Sequence, residues 1–204
     1  MPMKRASFGF SVIELMIVLL IASIVLAMGA PSFIEFRKNN RLTGTANDFL
    51  GALQTARTEA IKRQTFVSVC PSADPAAAAP VCGGGIYTGW IAFADPDQNC
   101  QRTGAELNAA NLIRVGGPVE AAVNVRSNGN CVTFAGTGFT VTATGALPMG
   151  RTMFCDDRGE ALQSGTNLSN AREVEVNNVG RARTSRVVAD FAAPEFGAAV
   201  AACP

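Results

Sequence analysis

Residues 10–28 read FSVIELMIVLLIASIVLAM, and the interpretation of this run decides the architecture of the whole chain. As a helix it is about 28 Å long at ~1.5 Å per residue, close to the hydrocarbon thickness of a bilayer, so it can span one. One charge interrupts it. Glu14 is the fifth residue of the run, and an acidic side chain costs about 2.5–3.5 kcal/mol at a helix centre and less near an end. Two accounts of Glu14 stand: it is solvated at the headgroup level, or it meets a positive partner. A free amine at Phe10 would be such a partner if the chain were cut after Gly9. Lys4 and Arg5 precede the run and favour a cytoplasmic N-terminus, whereas Arg37, Lys38 and Arg41 follow it and blunt that argument. The run also fits an ordinary secretory signal, because Ala27 and Gly29 sit at small-residue spacing after it. Glu14 and the length of the apolar core speak against that alternative.

Outside the run, composition narrows the possibilities. With 204 residues, 48% of them apolar, the chain has room for one globular domain besides an anchor. Lys+Arg 17 against Asp+Glu 16 leaves no global field to attract nucleic acid, so an electrostatic partner has to be met by a local patch. Histidine is absent, which removes Ser-His-Asp and Cys-His nucleophiles, the usual neutral-pH acid/base and every imidazole-bearing zinc site. An enzyme is therefore not expected, nor is a cofactor. The cysteines, Cys70, Cys82, Cys100, Cys131, Cys155 and Cys203, contain no C-x-x-C pair. An even set of widely spaced cysteines suits disulfides in an oxidising compartment, with buried thiols of a cytosolic core as the plainer alternative. Oxidised cysteines place the head outside the membrane. The expected pairing is Cys70–Cys82, Cys100–Cys131 and Cys155–Cys203.

Beyond Pro31, which removes one backbone donor and permits a bend or local melting, helical periodicity resumes. Leu42, Ala46, Phe49, Leu53, Ala56 and Ala60 step by fours and threes along one face, while Arg41, Asp48, Gln54, Arg57 and Lys62 point elsewhere. This predicts an amphipathic helix to about Arg63, packed on a sheet, with Glu59 and Arg63 supporting its exposed side. After Gln64 the texture changes to short β-like runs at 65–70, 89–95, 111–115, 131–135, 152–155, 172–176 and 180–184, separated by Gly, Pro and Asn. Residues 71–80, PSADPAAAAP, lack bulky side chains and are expected to form a surface loop closed by Cys70 and Cys82.

Lys4, Arg5 and Gly9 followed by Phe10 and Glu14 resemble the class III signal of type IV pilins and type II secretion pseudopilins. That resemblance implies a prepilin peptidase that cuts after Gly9 and methylates Phe10, and a Glu14 that pairs with the terminal amine of a neighbouring subunit. Pro31 matches the helix-perturbing proline of these proteins. NDFLGALQTARTEAIKR at 47–63, then VSVC, GWIAFAD, FCDDRG and VGRAR, resemble in order the GspH/FimT group of minor pilins and pseudopilins. The implied fold is α+β: a long bent helix, transmembrane in its first half, on a mostly antiparallel β-sheet head. The implied division is a leader at 1–9, a membrane and assembly helix at 10–30, its amphipathic continuation at 31–63 and a periplasmic head at 64–204. Expected partners are other pilins or pseudopilins, the prepilin peptidase, the inner membrane and DNA. The implied function is a minor pilin that binds DNA non-specifically during natural transformation; the alternative is a minor pseudopilin of a type II secretion system.

Three candidate sites follow. Gly180, Arg181 and Arg183 look like the GRxR motif of DNA-binding members of that group. In a strand Arg181 and Arg183 share a face, Arg186 lies close by, and no acidic residue intervenes between Glu175 and Asp190. Three guanidiniums would then contact successive phosphates without base readout; the plainer account is edge-protecting charge. Asp95, Asp97, Asn99 and Glu106 occupy positions 1, 3, 5 and 12 of a calcium-loop template. Its sixth position, which wants glycine, holds Cys100, so a polar hairpin turn is expected there and no metal. Trp90, the single tryptophan, sits in an alternating run and is expected in the core.

Overall fold

In the computed structural model, residues 9–83, 87–142, 150–187 and 203 are described, Pro31 and Val187 by their backbones alone. Lys4 and Arg5, expected in a leader, and Asp190 lie outside them. The chain divides into two compact units, Met1–Asn40 and Arg41–Pro204.

A single helix, α1, runs from Val12 to Arg63 and stays helical through Pro31, so the backbone does not melt there. In the first unit every residue from Gly9 to Ala30 is exposed, as an apolar segment is when it has no neighbour to bury it. The segment is long and apolar enough to cross a membrane. The helix ends where Gln64 turns into the left-handed region at φ 52°. Its side chain donates back to the Ile61 carbonyl at 2.6 Å, satisfying one of the free carbonyls of the last turn. Arg63 and Lys62 both reach Glu59, at 2.7 and 3.2 Å. Their hydrogen bonds, Arg63 first, hold its carboxyl below the usual carboxylate value.

Among the described residues of the second unit, the strands form two antiparallel sheets. The first has the order β3 (Leu112–Gly116), β2 (Gly89–Ala94), β1 (Val67–Ser72), β5 (Val132–Phe134) and β6 (Thr140–Val141). The second has the order β4 (Asn124–Ser127), β7 (Arg151–Cys155), β8 (Leu168–Val176) and β9 (Ala182–Val187). All seven strands expected from the sequence are present. The short β4 and β6 were not anticipated, and β8 starts four residues earlier than expected, at Leu168. Leu42, Ala46, Phe49, Leu53, Ala56 and Ala60 of α1 are at most 3% exposed and share one core with Val67, Val69, Trp90, Ala92, Phe134, Phe154 and Val174. The helical face predicted by periodicity is thus the buried face. At its centre Phe49 meets Trp90 edge-on, ring centroids 5.2 Å apart, and Phe154 at 5.6 Å. Trp90 lies across from Gly116 in the β2–β3 register, and a Cβ at Gly116 would collide with the indole. Only glycine fits there.

Three disulfides close the head: Cys70–Cys82, Cys100–Cys131 and Cys155–Cys203. Two local expectations need correction. Pro71 and Ser72 are buried and continue β1 rather than opening the loop. Proline is tolerated because β5 covers β1 only as far as Val69, and the Pro71 carbonyl still accepts from the Gly83 N–H at 2.8 Å. The segment after Asp95 is not a solvated hairpin turn either. It is a long β2–β3 connection through two short 3-10 turns, with Asp95 and Glu106 buried.

Candidate functional site

Of the residues expected to matter for processing and assembly, Gly9, Phe10 and Glu14 fall together at the start of α1, while Pro31 lies well inside the helix. Gly9 and Phe10 precede the helix, Phe10 is 80% exposed, and Glu14 lies in the first helical turn. An acidic residue there is favoured by the positive end of the helix dipole. In water that is enough to explain its placement, whereas in a hydrocarbon layer its charge calls for a cation. Within a helical turn its neighbours at three and four residues' distance are Ser11, Ile17, Phe10 and Val18. None is a basic side chain, so a compensating charge has to come from the chain terminus or from another molecule.

The arginine motif sits on the turn between β8 and β9. Gly180 adopts φ 72°, and its N–H donates to the Asn177 carbonyl at 2.9 Å. A Cβ there would collide with the Gly138 carbonyl oxygen as well as strain the backbone. Arg57 of α1 clamps the same place by donating to the carbonyls of Gly138 and Val179, at 3.0 and 3.2 Å. Gly180 therefore shapes the turn, and Arg57 holds it on the helix. Arg181, whose backbone N–H donates to Asn177 Oδ1 at 2.9 Å, is exposed.

The stripe of three arginines does not form as expected. Arg183 lies opposite Glu175 in the β8–β9 register, and its Nε donates to Glu175 Oε2 at 2.6 Å. Glu175 is fully buried while the Arg183 side chain is 49% exposed, so the arginine straddles a buried counter-charge and the solvent. The acidic neighbour missing along the chain is supplied across the sheet. Arg186 has the opposite parity to Arg181 and Arg183 and turns to the other face of the sheet. There its guanidinium donates to the Ser169 carbonyl at 3.3 Å. It stands beside Arg172, which is buried and donates to Thr43 Oγ1 of α1 at 3.2 Å. Burial first, then repulsion from Arg186 and Arg158, lowers the Arg172 pKa to about 10, with Asp156 pulling the other way. The structure leaves Arg181, just before β9, and Arg183 exposed, and sets the Arg186 guanidinium against the Ser169 carbonyl instead. Glu175 and Arg57 were missed in the sequence because both act through pairings that only the fold creates.

No curated protein matches the chain. Two crystal structures of the type IV minor pilin FimU of Pseudomonas aeruginosa (strain PAO1) resemble it, in space groups P21 and P65. They are 18% and 16% identical and superpose with TM-scores of 0.46 and 0.44. The alignments cover 72% and 71% of this chain and 90% and 92% of the FimU chains. The model of the prokaryotic N-terminal methylation motif matches residues 4–30. That of type II transport protein GspH matches residues 45–180, two thirds of the sequence and most of the head. With the methylation motif on its apolar helix and the GspH model across its head, the chain belongs to the GspH family of type IV pilin-like proteins, a family of structural subunits that assemble with other pilins.

Proposed function

We propose that the chain is a minor type IV pilin that joins its filament through α1 and offers DNA a weak contact at the β8–β9 turn. The observation that carries the first part is the exposed apolar segment from Phe10 to Ala30, with Glu14 as its one charge, inside the methylation motif. In this account residues 1–9 are a leader removed by a prepilin peptidase, and Phe10 becomes the methylated N-terminus. Residues 10–30 hold the chain in the inner membrane as a single pass before assembly. The continuation at 31–63 carries the head of residues 64–204 in the periplasm. Glu14 is neutralised by the terminal amine of a neighbouring subunit, and this ion pair, made in a low-dielectric layer, sets the register of entry. Glu14→Ala should leave the protein cleaved and membrane-inserted but absent from complexes with its partner pilins. Unchanged co-purification with them would remove the role.

DNA binding is supported by the exposure of Arg181 and the outward half of Arg183. Contacts of that kind are made to phosphates and carry no sequence preference. A second reading, a minor pseudopilin of a secretion machine with no DNA contact, is favoured by the Glu175–Arg183 pair and by the inward turn of Arg186, which together leave a smaller basic surface than three arginines would. Duplex binding by the purified chain separates the two readings.

A further inference from the structure

The β2–β3 connection folds Glu106 back onto two carboxylates at its start, Asp95 and Asp97. Asp95 is fully buried at the end of β2. One of its oxygens accepts from the Asn99 N–H at 3.2 Å, the other from the Cys100 N–H at 3.2 Å and the Ser68 hydroxyl. Asp97 is exposed and accepts from Asn99 Nδ2 at 2.8 Å. Glu106 returns to them from the 3-10 turn Gly104–Leu107, and its Oε2 accepts from the Thr103 N–H at 3.0 Å. One carboxylate oxygen from each residue lies within 4.8 Å of the other two.

A cluster of acids alone would say little, but Glu106 adds an independent observation. Its side chain is only 5% exposed, and its Oε1 is buried with no hydrogen-bond partner. A buried carboxylate oxygen without a donor, beside two further carboxylates, is unfavourable in an ionised site and is relieved by a cation among them. Arg102 is close, but its guanidinium donates to the carbonyls of Pro80, Leu107 and Asn108. Among the described residues no ion pair reaches the three acids.

We propose that Asp95, Asp97 and Glu106 bind a divalent, oxygen-seeking cation of the calcium class, which pins the β2–β3 connection. Calcium takes its oxygen ligands at about 2.3–2.6 Å, so oxygens sharing one ion are at most about 5 Å apart; the observed spacing admits a common ion. Its flexible coordination number lets water complete the shell, whereas zinc is disfavoured because every cysteine is bridged and histidine is absent. The glycine missing from the sixth position of the template is no obstacle, since Cys100 itself takes φ 58° there.

The test is calorimetric titration of CaCl2 into the full-length chain in detergent, after chelation. One site is expected, in the millimolar to sub-millimolar range of extracellular calcium modules, with a rise in melting temperature. Asp97→Asn changes an exposed side chain and leaves the fold in place; it and Glu106→Gln should each weaken calcium about tenfold or more, because affinity follows the charge of the ligand set. Without calcium, Glu106→Gln should melt no lower than wild type, since it keeps the Thr103 hydrogen bond and removes a charge. A flat titration at millimolar CaCl2, wild-type affinity in both variants, or MgCl2 binding as tightly as CaCl2 would each overturn the proposal.

Discussion

A Cβ placed on Gly9 meets nothing within 4 Å, so Gly9→Val leaves the folded chain undisturbed and acts only where a peptidase has to close on the bond after it. The variant should accumulate as uncut precursor, visible as a heavier band on an immunoblot; a normally shortened product would remove the class III assignment. Gly180 is the opposite case. Its left-handed backbone and the Gly138 carbonyl beside it mean that any side chain disturbs the turn, so loss of DNA binding on changing it would say nothing about contact. Arg181 and Arg183 are the informative positions. With two phosphates engaged, log K should fall against log[salt] with a slope of about −1.8, taking roughly −0.9 per contact. Arg181→Gln alone should make that slope shallower by about one contact, and the double change with Arg183→Gln should abolish most binding. Equal binding by the double variant at matched salt would move the secretion reading ahead. The motif itself was legible along the chain. Its counter-charge was not, because Glu175 reaches Arg183 through a strand register that eight residues of sequence separation do not reveal.

The elements that sequence periodicity specified strongly are those buried on one face. In α1 the step of Leu42, Ala46, Phe49, Leu53, Ala56 and Ala60 was readable because a helix that covers a core has to repeat at its own period. β2 departs from that rule: it is buried on both faces, Trp90 and Ala92 against the helix and Ile91 and Phe93 in a second cluster with Cys70, Cys100 and Cys131, so it is not the half-buried strand that alternation would describe. Strands that bury little gave no such signal. Asn124–Ser127 is an edge strand with one apolar residue, the partly buried Val125, and Thr140–Val141 is two residues long; neither holds enough apolar residues to show a pattern. Nor could the local sequence show that the strands divide into two sheets sharing one core. Phe49 joins that core from the helix, between Trp90 of the first sheet and Phe154 of the second. Phe49→Ala should therefore loosen both sheets at once, lowering stability by about 3–5 kcal/mol, measured by denaturant unfolding of the full chain in detergent. A loss below about 1 kcal/mol would mean that the aromatic contact is not central to the head.

Taken as a whole, the molecule combines an apolar helix that water does not stabilise with a head whose three disulfides restrain its unfolded chain. They close loops of 12, 31 and 48 residues, and removing a native bridge from such a domain lowers stability by about 2–5 kcal/mol. Protein made in an oxidising compartment should show no reactive thiol after unfolding; six thiols would contradict the placement of the head outside the membrane. A pilin assembly helix and a secretory signal leave different mature N-termini, so the first residue of the mature chain tells which of the two α1 is. Mass spectrometry of the chain recovered from membranes or filaments should find N-methylated Phe10 as the first residue. A chain beginning at Ala30 or Pro31 would mean removal by signal peptidase, and would contradict the account.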